Sequence, residues 1–108
     1  MNTMRYFIDT HAASRNTYPA GLTPAQFEGF FIQFEAACRE EGVTILRIHV
    51  GYADERAFCL TMAADAAAVE RAHRRVGLPF DSITEVKTAT PADTFLRRGG
   101  SDAGPIAD

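Results

Sequence analysis

Residues 43–62, VTILRIHVGYADERAFCLTM, contain two runs of aliphatic, aromatic and β-branched side chains separated by a short polar link. The runs Val43 to Tyr52 and Arg56 to Met62 have the composition of β-strands. The link Ala53-Asp54-Glu55 is short, so it predicts that the two strands form an antiparallel hairpin. The segments before and after this hairpin then decide the fold.

The segment before the hairpin contains a helix with a clear start signal. Thr23 is in the N-cap position, Pro24 is the first helical residue, and Gln26 completes a capping box. Phenylalanines then recur at three- and four-residue spacing, which predicts a helix with one apolar side facing a core. Gly42 is a natural residue to end this helix.

The segment after the hairpin contains a second helix. We predict that it runs from about Asp65 to Val76 and ends at Gly77. Residues 4–11 and 82–89 have strand composition and flank the two helices at the outer ends of the domain.

The order strand–helix–strand–strand–helix–strand predicts an α+β fold, the ferredoxin-like βαββαβ sandwich, with a four-stranded antiparallel sheet and two helices on one face. Right-handed crossovers place the first and third strands at the centre of the sheet. We assign residues 1–89 to this domain and residues 90–108 to a C-terminal tail. In the tail we predict a helical turn over residues 90–96, and disorder after Gly100.

Composition and charge restrict the class of protein. The net charge of -3 argues against a nucleic-acid or anionic membrane partner. No apolar run reaches the roughly 18 residues of a membrane span, and the N-terminus lacks the pattern of a signal peptide. We therefore expect a cytoplasmic protein whose two cysteines, Cys38 and Cys59, are free thiols.

Side chains alternate between the two faces along each strand. We expect the more apolar set, such as Tyr6 and Ile8 on the first strand, to face the helices. The other set would then share the uncovered face of the sheet, and it consists of Asp9, His11, His49, Cys59 and Glu85.

This second set contains candidate metal ligands. Asp9 and His11 are two residues apart on one strand, so their side chains start about 7 Å apart on one face. His49 is expected on the same face, and imidazole with carboxylate suits zinc, nickel, copper or iron(II). We predict that Asp9, His11 and His49 bind the metal, although an exposed polar pair and a surface histidine would show the same pattern. For His73 we predict a packed, hydrogen-bonded side chain, and for Cys59 a small buried residue or a soft ligand.

Four stretches carry a resemblance to a known family. They are FIDTH at residues 7–11, His49 followed ten residues later by Cys59, AVERAHRRVG at residues 68–77, and LPFDSITEV at residues 78–86. The chain resembles small bacterial ferredoxin-like proteins described as nickel-binding, in a family of otherwise unknown function. The resemblance covers about residues 4–89. It implies a homodimer that binds Ni²⁺, or another divalent transition metal, through histidine and acidic side chains.

Three functions therefore stay open. The first is a non-enzymatic metal-binding protein. The second is a small-ligand-binding protein or enzyme, with a pocket on the open sheet face of a dimer and His49 or His11 as general base. The third is a self-associating interaction module. The sequence contains no phosphate loop or nucleophile motif, so we assign no catalytic residue and favour the first function.

Overall fold

The structure, a computed structural model, describes residues 3–92. Its elements are β1 (Arg5–Ala12), a short 3₁₀ turn (Ala13–Arg15), α1 (Pro24–Glu40), β2 (Thr44–Gly51), β3 (Arg56–Ala63), α2 (Ala66–Arg75) and β4 (Ser82–Val86). The four strands form one sheet in the order β2-β3-β1-β4, and each neighbouring pair is antiparallel. The predicted ferredoxin-like fold is confirmed, with β1 and β3 at the centre.

The predicted helix boundaries are confirmed by their capping contacts. Thr23 Oγ1 accepts a hydrogen bond from the Gln26 N–H, and the Gln26 side chain accepts one from the Thr23 N–H. Asp65 caps α2 by accepting from the Ala68 N–H. Gly42, with φ at 74°, follows the end of α1 in the left-handed region that glycine adopts without strain.

Neither α1 nor α2 has the combination of length and apolar character that crossing a membrane requires. The helical turn predicted over residues 90–96 begins with helical backbone at Pro91 and Ala92. The rest of that turn, and the tail after it, lie outside the described residues.

On β1 and β3 the two faces are the reverse of our expectation. The side chains that these strands bury under the helices are Phe7, Asp9, His11, Cys59, Thr61 and Ala63. The larger apolar set lies on the uncovered face and consists of Tyr6, Ile8, Phe58, Leu60 and Met62. The expectation was wrong because small side chains on β3 let α2 approach the sheet, and hydrogen bonds compensate the buried polar groups.

On β2 the expectation holds for Ile48 and Val50, which face the helices, but not for Ile45, which packs against the core, or for Leu46, which is exposed. A register shift between Ile45 and Arg47 marks a bulge, after which Ile48 pairs with Cys59 and His49 pairs with Phe58. His49 is therefore exposed on the uncovered face, on the other side of the sheet from Asp9 and His11. The expectation that all three share one face was wrong.

The cap of α2 offers a stability test, because this helix must be held in place over β1. We predict that Asp65→Ala lowers the free energy of unfolding by about 1 kcal/mol, since the Ala68 N–H loses its acceptor. Chemical denaturation monitored by circular dichroism measures this loss. Asp65→Asn keeps a capping oxygen and should retain most of the stability; equal losses in both variants would contradict the capping role.

Candidate metal centre

Three polar side chains meet beneath the helices at the centre of the sheet. Asp9 and His11 come from β1, and His73 comes from the last turn of α2. Their potential ligand atoms all lie within 4.8 Å of one another, and within residues 3–92 no other group of this kind occurs. Asp9 and His73 are 0% exposed and His11 is 8% exposed. The structure thus brings Asp9 and His11 together as predicted, with His73 rather than His49 as the third member.

Asp9 contacts both histidines of this cluster. Its Oδ2 lies 2.8 Å from Nε2 of His11 and 3.0 Å from Nε2 of His73. Its Oδ1 is buried without a hydrogen-bond partner. Burial raises the pKa of Asp9, but hydrogen bonds from His11 and His73 and their charges outweigh it, so the pKa lies below its ordinary value.

The His11 ring is held by two backbone carbonyls on its other nitrogen. Nδ1 lies 3.1 Å from the Thr17 carbonyl oxygen and 2.8 Å from that of Pro79. A carbonyl oxygen can only accept, so Nδ1 carries the hydrogen. Burial lowers the pKa of His11, but the hydrogen bond and charge of Asp9, together with the hydrogen bonds to the Pro79 and Thr17 carbonyls, exceed that effect, so the pKa is raised.

The two loops that supply these carbonyls are tied to each other. The Thr17 hydroxyl accepts from the Ala12 N–H at 2.8 Å and lies 3.0 Å from Oδ1 of Asp81, to which it can donate. The Asp81 N–H in turn donates to the Thr10 carbonyl at 2.8 Å. These contacts fix the orientation of the His11 ring from both sides.

His73 is fixed in the same manner from within α2. Its Nδ1 lies 2.8 Å from the Val69 carbonyl oxygen, one turn earlier, and therefore carries a hydrogen. Its ring packs against Phe34 and Phe80, with centroids at 4.7 Å and 5.0 Å, and stacks on His11 at 5.6 Å. The prediction of a packed, hydrogen-bonded His73 is confirmed, and the same packing aims its Nε2 at Asp9.

Both histidines consequently present Nε2 to a single carboxylate oxygen. Either hydrogens occupy these Nε2 positions, or their lone pairs are free for a cation. Metal-binding histidines commonly donate the other ring N–H to a backbone carbonyl, as His11 and His73 both do. Since both nitrogens of His11 are engaged, the geometry does not support His11 as a general base.

The two cysteines lie in the surrounding core as free thiols, as predicted. Burial, followed by the charge of Asp9, raises the pKa of Cys59 far above its usual range. Burial likewise raises the pKa of Cys38 to about 12. Both are neutral thiols at physiological pH, and Cys59 is the small buried residue that the sequence suggested.

Sequence reasoning missed His73 as a member of the cluster. Its position beside Val69 and Ala72 on the buried side of α2 did place it toward the sheet. His73 was not linked to Asp9 and His11, because those two residues were assigned to the face that the helices leave uncovered.

Residues 7–86, which include all three members of the cluster, match the family described as nickel responsive protein SCO4226-like. The chain belongs to this family. It is also similar to the solved structure of SCO4226 from Streptomyces coelicolor A3(2), with a TM-score of 0.68 and 27% sequence identity. That similarity covers 79% of this chain and 99% of the other. No curated protein sequence matches this chain significantly. The resemblance seen in the sequence is thus confirmed at the level of the family.

The dependence of His11 on Asp9 gives a titration test for this member of the SCO4226-like family. In Asp9→Asn the raising effect of the carboxylate is removed while burial still lowers the pKa. We predict that NMR titration of the metal-free protein finds the His11 pKa above its ordinary value in the wild type, and lower in Asp9→Asn than in the wild type. Glu70→Gln removes a carboxylate that pairs with Arg74 on α2 and should leave His11 unchanged. A His11 pKa that does not move in Asp9→Asn would contradict the contact.

Proposed function

We propose that the protein binds a divalent transition-metal ion, nickel above all, through Asp9, His11 and His73, and that it does so without catalysing a reaction. The observation that carries this proposal is the fixed orientation of both imidazoles. Backbone carbonyls hold each Nδ1–H, and both Nε2 atoms therefore converge on Oδ2 of Asp9. The name of the family supports nickel as the ion.

The donor atoms fit such an ion. Two imidazole nitrogens and one carboxylate oxygen suit nickel, copper or zinc. Two ligands at right angles, each about 2.1 Å from a metal, are about 3.0 Å apart. The separations of 2.8 Å and 3.0 Å between Oδ2 and the two Nε2 atoms are close to that value. The unpartnered Oδ1 of Asp9 is a further oxygen in the same place.

The charge of the cluster supports the same conclusion. A divalent cation with one carboxylate and two neutral imidazoles carries the same net charge as one carboxylate with two imidazolium rings. Exchange of the two Nε2 hydrogens for the cation therefore adds no charge to this buried site. Each imidazole keeps the carbonyl hydrogen bond that orients it.

A nickel titration of the metal-free protein, prepared without a histidine tag, tests the proposal. We expect one site per chain in the wild type. His11→Gln and His73→Gln should each weaken binding about 100-fold or more, because each removes a nitrogen ligand. Isothermal titration calorimetry measures the affinity. Asp9→Asn, which keeps the shape of the side chain, should also lose affinity.

His49→Gln is the matched control, because His49 lies exposed on the other face of the sheet. Its affinity should equal that of the wild type. Melting curves of each metal-free variant establish that it is folded. The proposal would be contradicted by a wild type that binds no nickel, or by a His49→Gln variant that loses as much affinity for nickel as His11→Gln.

The uncovered face of the sheet supports a second proposal, that two copies of the chain associate as a homodimer. Helices cover only one face, and the other carries the larger apolar side chains of β1 and β3. Tyr6 remains 36% exposed and Leu46 42% exposed on this side. Contiguous apolar surface of this kind is typical of protein interfaces, and the same surface on two copies can pack face to face.

Sedimentation tests the dimer. We predict that the wild type sediments as a dimer at micromolar concentration and that Leu60→Glu shifts it to a monomer, because a charge would be buried in the interface. Ile32→Glu changes a side chain on α1 that is 63% exposed, away from this face, and should leave the dimer intact. A wild type that is monomeric would contradict the proposal.

A further inference from the structure

An apolar cavity of about 100 Å³ lies between α1 and the sheet, on the helix side of the molecule. Phenylalanines from α1 form one wall, and Val50 and Ala57 from the sheet form the opposite wall. His11 and Cys59 also line it. The cavity therefore borders the metal cluster and shares His11 with it, while the rest of its wall is built from other side chains.

The phenylalanines do not fill this space as an ordinary core would. Phe34 is 4% exposed and belongs to the core, whereas Phe30, one turn earlier, is 50% exposed. Phe27 and Phe31 are only partly buried. Three aromatic rings thus line an opening that water reaches, although close packing would be more favourable for the folded chain. A concave, aromatic-lined opening of this kind is typical of small-molecule sites.

Few polar groups are available in the wall. Both ring nitrogens of His11 and the hydroxyl of Thr17 are engaged in hydrogen bonds. Tyr18 also lines the cavity, but its hydroxyl is buried, so a molecule in the cavity does not reach it. The wall therefore offers almost no hydrogen-bonding group to a ligand.

We propose that this cavity binds a small apolar molecule, about the size of one aromatic ring. The size follows from the volume, because an apolar cavity of about 150 Å³ accepts benzene and this cavity is also open at one end. The apolar wall favours such a ring, because a polar group of the ligand would lose its hydrogen bonds to water there. The cavity lies on the opposite side of the sheet from the proposed dimer face, so a second copy is not its expected occupant.

Two probe molecules, toluene and 4-methylphenol, test the site by NMR chemical-shift titration of the full chain. Both should bind to the wild type and shift the resonances of the α1 phenylalanines. Ala57→Leu fills the cavity from β3 and should weaken binding of both probes at least tenfold. Val50→Phe fills the same space from β2 and provides an independent test. Toluene should bind several-fold more tightly than 4-methylphenol, because the wall offers the phenol hydroxyl no partner.

Nickel titration of Val50→Phe separates this proposal from the metal site, since β2 is not adjacent to β1 and this variant should bind nickel as the wild type does. The cavity proposal is overturned if neither probe binds the wild type at millimolar concentration, or if folded Ala57→Leu and Val50→Phe bind toluene as well as the wild type. Tighter binding of 4-methylphenol than of toluene would refute the apolar character of the site.

Discussion

A carboxylate that water cannot reach has lost its hydration, so hydrogen bonds and opposite charge within the protein must stabilise it. The histidines around Asp9 provide both. Asp9 is completely buried at the centre of β1, and two imidazoles reach the same oxygen from β1 itself and from α2. This contact links α2 to the sheet beside the apolar core, and the stacked rings and the loops around His11 surround it. Because these groups converge on one point, the same cluster is suited to bind a cation.

Backbone carbonyls hold each imidazole ring through its Nδ1–H, on the side away from Asp9. Carbonyls of Thr17 and Pro79 hold His11, and the carbonyl of Val69 holds His73. These carbonyls belong to two loops and to the interior of α2, so three separate parts of the fold decide which nitrogen faces Asp9. Local chain geometry thus determines the chemistry of the site.

The sequence predicted the fold well because the signals involved are local. The capping box at Thr23, the hairpin link and the alternation within strands each require only a few neighbouring residues. The site was predicted in part, because Asp9 and His11 share a strand. Which face the helices cover depends on packing between distant segments, and the position of His49 depends on its register with Phe58. His73 could be linked to Asp9 only after that face was known.

The metal cluster can be observed directly in a crystal of the protein grown with nickel, by anomalous scattering on either side of the nickel absorption edge. We predict one peak per chain between Nε2 of His11, Nε2 of His73 and the carboxylate of Asp9. A peak at His49 with none at Asp9, or a nickel-saturated protein with no peak inside the sheet–helix layer, would contradict it.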